Sequence, residues 1–211
     1  DVGGGQGYWA VNLAQLGWQV NLVEKSKMAR NDALYLTKSF SDKIQIHDSF
    51  ENLDRESADL LCALEVLEHL PDPTQSLRYW SGHLKPDGYG LFSFPAWPEW
   101  FNAEDVKAGH LCRFNIKDVL TLFSSKDWDI CKMKGYGFPY RNLLQVYNNG
   151  RLRNKQFEEP DKATLSSGVY RDTRLPIWLD YTVVVATDSF QRLIGPRKPN
   201  WGIVVLVQKK G

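Results

Sequence analysis

Across residues 18–97 the chain alternates two hydrophobic periods, and this alternation constrains its fold more than any other feature. WQVNLVEKS is a short β-branched run ending in Glu24, and MARNDALYLTKSF then has helical spacing. DKIQIHDSF returns to a strand through Ile44 and Ile46. SADLLCALEVLEHLPD contains a buried strand around residues 59–63 and turns at Pro71. PTQSLRYWSGHLKPDGYG predicts a helix with a Pro-Asp-Gly turn at its end, feeding the strand YGLFSFPAW. Strands and helices in strict succession predict a parallel sheet with helices on both faces and right-handed crossovers.

Further along, NIKDVLTLFSSKDW has an apolar face of Ile116, Val119, Leu120 and Phe123, so a helix is expected there. WDICKMKGYGF and the C-terminal WGIVVLVQKK read as strands. Residues 139–199 show no regular pattern, a long connection for a compact domain unless it has a use of its own. Basic and aromatic residues interleave there, which suits a lid, a homodimer contact or a lipid-facing surface. LPIWLDYTVVVATDSFQRLI within it is a candidate amphipathic helix.

With 211 residues a single domain is expected, its core formed by 1–138 and 200–211. A net charge of +1 gives no pull toward nucleic acid. Cys62, Cys112 and Cys131 form no C-x-x-C pair, which argues against a disulfide scaffold or structural zinc and fits a reducing cytoplasm. No stretch has the roughly 20 apolar residues that span a bilayer.

The chemistry begins in DVGGGQGYWA. Val2 ends a strand, the glycines make a turn, and Trp9, Leu13 and Leu16 start a helix that stops at Gly17. Such a turn presents bare backbone N–H groups at the carboxyl edge of a sheet, where open α/β folds bind ligands. Only two residues precede the glycines, so an upstream half of this strand is expected. The dinucleotide pattern G-x-G-x-x-G fails here because Tyr8 occupies the third glycine position, and no G-K-[ST] follows for a P-loop. The pattern is instead D-x-G-x-G-x-G, with Asp1, Gly3, Gly5 and Gly7. A carboxylate at the mouth of the turn repels phosphate and suits an ammonium group. Glu24, at the next strand end, is placed for ribose hydroxyls. Asp48 and Ser49, at the third, offer polar atoms to an adenine edge beside the apolar Phe50. Together these sites describe S-adenosylmethionine.

In DVGGGQG, NLVEKS, IHDSFENL, ADLLCALEVLEHLPDP and LKPDGYGLFSFP, the sequence resembles the class I S-adenosylmethionine-dependent methyltransferases. Within them it is most similar to the small-molecule group related to ubiquinone and menaquinone biosynthesis enzymes. GHLCRFNIKDVLTLF resembles the segment after the fifth strand. The resemblance implies a Rossmann-like, mostly parallel sheet of seven strands in the order 3-2-1-4-5-7-6, with a long insertion before the last strand. It further implies cofactor contacts from Asp1, Gly3, Gly5, Glu24, Lys25, Asp48, Ser49, Leu64 and Glu65, and no metal.

Several residues carry two readings. Lys25 and Met28 either cover the adenine or stay in solvent. His69 is either a base near the methyl acceptor or a residue fixing its loop through Glu65 or Glu68. His110 is either an acceptor-site base or a loop anchor, with Arg113 beside it as a partner for an anionic substrate. His47 and His83 are expected to be structural. Trp97, Trp100 and Phe101 either rim an acceptor pocket or pack beneath a loop. The expected reaction is in-line methyl transfer to a small-molecule acceptor, O-methylation being favoured, with His110 the first candidate base and His69 the second. Two alternatives stand beside it: an NAD-type oxidoreductase, against which Tyr8 counts, and a methyltransferase-like binding module without catalysis.

Overall fold

The computed structural model describes residues 1–123, 127–152, 196–197 and 199–211. Among these, helices α1 (Tyr8–Gln15) and α2 (Lys27–Leu36) flank strands β1 (Val20–Val23) and β2 (Ile44–His47). Strand β3 (Ala58–Leu64), helix α3 (Pro73–Ser81) and strand β4 (Leu84–Pro95) follow. Then come α4 (Ala103–Ala108), α5 (Ile116–Phe123), β5 (Trp128–Tyr136), α6 (Tyr140–Leu152) and β6 (Gly202–Lys209).

Local chemistry sets several helix boundaries. Asp72 caps α3 by accepting from the Gln75 N–H at 2.9 Å, with Pro73 at the first helical position. Ser26 accepts from the Ala29 N–H to cap α2. Asn102 and Asp105 form a reciprocal capping box on α4. Gly7 precedes α1 at φ 87°, a conformation that a side chain strongly disfavours.

The strands lie in two sheets. β1 and β2 pair in parallel, and a second sheet has the order β3-β4-β6-β5, with β6 antiparallel to both neighbours. Residues 1–3 run between the sheets: the Val2 N–H donates to Cys62 O at 2.7 Å, and the Gly3 N–H to Val23 O at 2.8 Å. The described strands thus number six where the family resemblance implies seven, because only a single bridge, Val2 to Val23, forms at the chain's first residues.

The core is centred on β4 and β6. Phe92, Phe94, Ile203, Val205 and Val207 are fully buried, covered by Val119 and Phe123 of α5 and by Trp128. Two sequence expectations change. The Pro-Asp-Gly turn expected after α3 lies inside β4, where the pairing with β3 slips from Ala58↔Leu84 to Leu60↔Tyr89 and Asp87 takes φ 60°. The strand continues because Tyr89 resumes the ladder directly. Residues 140–152 form α6 rather than an irregular start to the long connection. Tyr140, Leu143, Leu144 and Tyr147 fall at helical spacing, but the Asn-Asn-Gly run that follows has poor helix propensity, and Leu143, Val146 and Tyr147 are all exposed. The amphipathic helix expected from LPIWLDYTVVVATDSFQRLI lies outside the described residues. Among the described residues no helix is long and apolar enough to cross a membrane.

Candidate functional site

The glycine turn is built without room for side chains. Gly3, Gly5 and Gly7 have φ of 63°, 54° and 87°. A Cβ on Gly3 would lie 2.7 Å from the Val66 side chain, and one on Gly4 would lie 2.7 Å from Asp1 Oδ2 and from Leu22. Asp1 Oδ2 is buried and has no hydrogen-bond partner. A buried carboxylate oxygen without a donor is costly to the fold and is satisfied by a ligand's ammonium group. The turn and this orphan oxygen therefore fit the amino-acid end of S-adenosylmethionine.

Glu24 does more than the sequence suggests. Its Oε2 accepts from the Gly5 N–H at 3.0 Å and its Oε1 from the Ser26 N–H at 2.7 Å, so one carboxylate ties the turn to the start of α2. Each oxygen retains a lone pair for a hydroxyl, compatible with the ribose role. Arg30 Nη1 donates to the Glu24 and Lys25 carbonyls and shapes the same loop. Lys25 and Met28 are exposed beside it, and Asp48 is exposed at the end of β2. Ser49 Oγ accepts weakly from the Glu51 N–H at 3.4 Å. Phe50, expected at an apolar ligand surface, is buried instead, packed edge-on against Tyr79 and stacked on Trp80.

A second cluster follows β3. Leu64, its last residue, is partly buried. Glu65, at φ 56°, accepts on Oε1 from Ser93 Oγ at 2.8 Å and from the Tyr136 hydroxyl. Burial raises its carboxyl above the ordinary range, against the pull of those two hydrogen bonds. Glu68 is fully buried and neither carboxylate oxygen has a hydrogen-bond partner. His69 Nδ1 faces Gly109 O at 3.1 Å, and its ring meets that of His110 edge-on at 4.8 Å. Burial, then the His110 charge, lowers the His69 pKa.

His110 is held by a residue that the sequence reading missed. Its Nδ1 lies 2.8 Å from Asp105 Oδ1, which leaves Nε2 facing Glu68 Oε1 at 3.8 Å. Asp105 also takes Arg113 Nε at 2.9 and 3.0 Å on its two oxygens and the Asn102 N–H at 2.9 Å. Burial works to raise the Asp105 carboxyl, but the His110 and Arg113 hydrogen bonds and charges override it and hold it below its usual value. Arg113, expected to meet an anionic substrate, is instead buried at 3% exposure, donates to Ala96 O and lies over the Trp201 ring. The capping-box spacing from Asn102 to Asp105 was the available sequence signal, and it reads as local helix chemistry rather than as a site. Of the other residues singled out, His47 Nε2 pairs with Asn21, and His83 Nδ1 faces Asp54 O. Trp97 is buried with Nε1 donating to Asn200 O at 2.6 Å, while Phe101 is 38% exposed.

Among the described residues Glu68, His69 and His110 bring one ligating atom each within 4.8 Å of one another. No spacing in the sequence marks such a set, since His110 arrives from a distant loop.

Glu68 also makes a stability prediction. Burial, then the Glu65 charge, raises its carboxyl well above the ordinary range. The folded chain therefore keeps a proton that the unfolded chain releases, and stability falls as pH rises above the ordinary glutamate value of about 4.3. Glu68→Gln, melted in the presence of EDTA, is expected to lose less Tm than the parent between about pH 5 and pH 8. Parallel Tm curves would contradict this assignment.

Comparison with known proteins gives the family and the fold. A family model described as a methyltransferase domain matches residues 1–133. A ubiquinone biosynthesis O-methyltransferase of Albidiferax ferrireducens is 35% identical over 98 residues, covering 44% of this chain and 39% of that protein. The match thus spans about two fifths of the length of this curated relative. An S-adenosylmethionine-dependent methyltransferase from Mesorhizobium loti superposes with a TM-score of 0.61 at 13% identity, over 99% of this chain and 89% of that one. Phosphoethanolamine N-methyltransferase 2 of Haemonchus contortus, solved with S-adenosylhomocysteine, superposes at 0.58 and 17% identity, over 100% of this chain and 48% of that one. At these identities the two structures establish the α/β methyltransferase fold. With the family model covering most of the chain, the protein belongs to the class I S-adenosylmethionine-dependent methyltransferases.

Proposed function

We propose that the chain transfers a methyl group from S-adenosylmethionine to a hydroxyl of a small-molecule acceptor, with His110 as the base. The observation that carries this reading is the Asp105–His110 pair. Asp105 takes the Nδ1 proton, which places the ring's lone pair on Nε2, beside the loop that follows β3. The O-methyltransferase name of the 35%-identical relative supports a hydroxyl acceptor.

The cofactor, when bound, supplies a methyl group already activated by a sulfonium centre. The chain's own residues then bind, orient and exclude water. The turn at residues 3–7, the Asp1 carboxylate and Glu24 hold the amino-acid and ribose ends. Asp48, Ser49 and Lys25 would meet the adenine, and Leu64 and Glu65 the methionine chain. His69 lies edge-on to His110 and orients it, with its own reduced basicity favouring the neutral ring. In this reading residues 1–3 form the centre of one seven-stranded sheet, in the order 3-2-1-4-5-7-6. The free thiols of Cys62, Cys112 and Cys131 are in keeping with a cytoplasmic reaction.

His110→Gln is expected to reduce turnover of a hydroxyl acceptor about a hundredfold while leaving S-adenosylhomocysteine affinity within about twofold. Release of S-adenosylhomocysteine from S-adenosylmethionine in the presence of a panel of phenols, sugars or amines reads this directly. Undiminished turnover by His110→Gln would remove the base assignment, and turnover of amines alone would remove the hydroxyl.

The Glu68–His69–His110 cluster favours one second reading, in which a divalent cation lies among the three and acidifies the acceptor hydroxyl. Turnover lost in EDTA and restored by Zn²⁺ or Mn²⁺, ions that two imidazoles and a carboxylate can hold, supports it. Turnover indifferent to EDTA excludes it.

A further inference from the structure

The hydroxyl of Tyr136 reaches Glu65, just past the end of β3, across two intervening strands, β6 and β4. Tyr136 ends β5 and pairs with Gly202 of β6, which in turn pairs with Pro95 of β4. To reach Glu65 the phenol crosses β6 at that glycine, where a Cβ would overlap the ring. Trp201 supports the ring edge-on at 5.9 Å between centroids. On the far side Glu65 also binds β4 twice, its N–H donating to Ser93 O at 3.0 Å and its Oε1 accepting from Ser93 Oγ. These contacts hold a non-glycine residue at φ 56°. The next side chain, Val66, is the one pressed against Gly3 of the glycine turn.

The geometry points to Tyr136 as a positioning residue for the cofactor turn: it acts through the Glu65 carboxylate, and Gly202 leaves the path across β6 open to it. A hydrogen bond to a carboxylate is strong and directional, so the phenol fixes where Glu65 sits. That placement fixes Val66, and Val66 limits how the turn at Gly3 can settle. The far side of the sheet thereby helps to shape the ligand-binding edge. The inference rests on the methyltransferase reading and extends it to residues that lie outside the cofactor motif.

Titration calorimetry with S-adenosylhomocysteine on the full chain tests it. Tyr136→Phe and Gly202→Ala are each expected to raise Kd about fivefold, and Tyr136→Phe combined with Glu65→Gln to bind no more weakly than Glu65→Gln alone. Phe123→Leu, a core change beneath the same sheet, serves as the control: its Tm falls while Kd stays within about twofold. Three outcomes overturn the inference: a rise below about threefold in Tyr136→Phe, singles that multiply in the double variant, or a Phe123→Leu that weakens binding equally. Gly202→Ala is supplementary, so its failure to fold leaves the Tyr136 comparison decisive. A parent chain that does not bind S-adenosylhomocysteine overturns the methyltransferase reading itself, and this inference with it.

Discussion

Glu24→Ala is expected to weaken S-adenosylhomocysteine binding by at least about thirtyfold, on the ground that hydrogen bonds to charged groups are worth roughly 1.5–3 kcal/mol each. Its carboxylate accepts from both the Gly5 and Ser26 N–H groups. Removing it frees the glycine turn on one side and the start of α2 on the other, and it takes away the acid proposed to meet the ribose. Glu24→Gln separates these effects: one amide oxygen can still accept, so an intermediate loss is expected. Calorimetry at fixed ionic strength measures both variants. Affinity unchanged in Glu24→Ala would remove the strand-end acid from the cofactor site.

Asp105→Asn has the largest expected effect on stability. Arg113 is 1% exposed at its side chain and pairs with Asp105 on both carboxylate oxygens. Breaking a buried pair by neutralising one partner leaves an uncompensated charge, which costs roughly 3–5 kcal/mol. The same substitution weakens the α4 capping box and removes the group that orients His110. Urea unfolding is the measurement, and Arg113→Met in the Asp105→Asn background is expected to recover part of the loss, because it removes the stranded charge. A cost below about 1 kcal/mol would show that Arg113 finds compensation elsewhere.

The alternation of strand and helix, the glycine turn and the strand-end acids were legible because each is a local pattern: a hydrophobic period, a backbone conformation or a charge at a boundary. Asp1, Gly3, Gly5 and Glu24 fall together for that reason. Phe50 was misread because a residue just past a strand end can turn inward or outward, and the partners that turn it inward, Tyr79 and Trp80, come from α3. Arg113 looked like a substrate residue because its partner Asp105 lies eight positions earlier, on a helix whose cap explained that aspartate already. Tyr136 and Gly202 carry no local signal at all. Their meaning appears only when β5 and β6 are laid beside each other, a pairing separated by more than sixty residues of sequence. α6 was masked by its Asn-Asn-Gly run, although Tyr140, Leu143, Leu144 and Tyr147 carry helical spacing.

The turn at residues 3–7 is proposed to hold S-adenosylmethionine rather than a dinucleotide. Calorimetric titration of the full chain with S-adenosylhomocysteine and, separately, with NAD tests it most directly. One-to-one binding of S-adenosylhomocysteine with no heat from NAD is the predicted result; binding of NAD alone would contradict it.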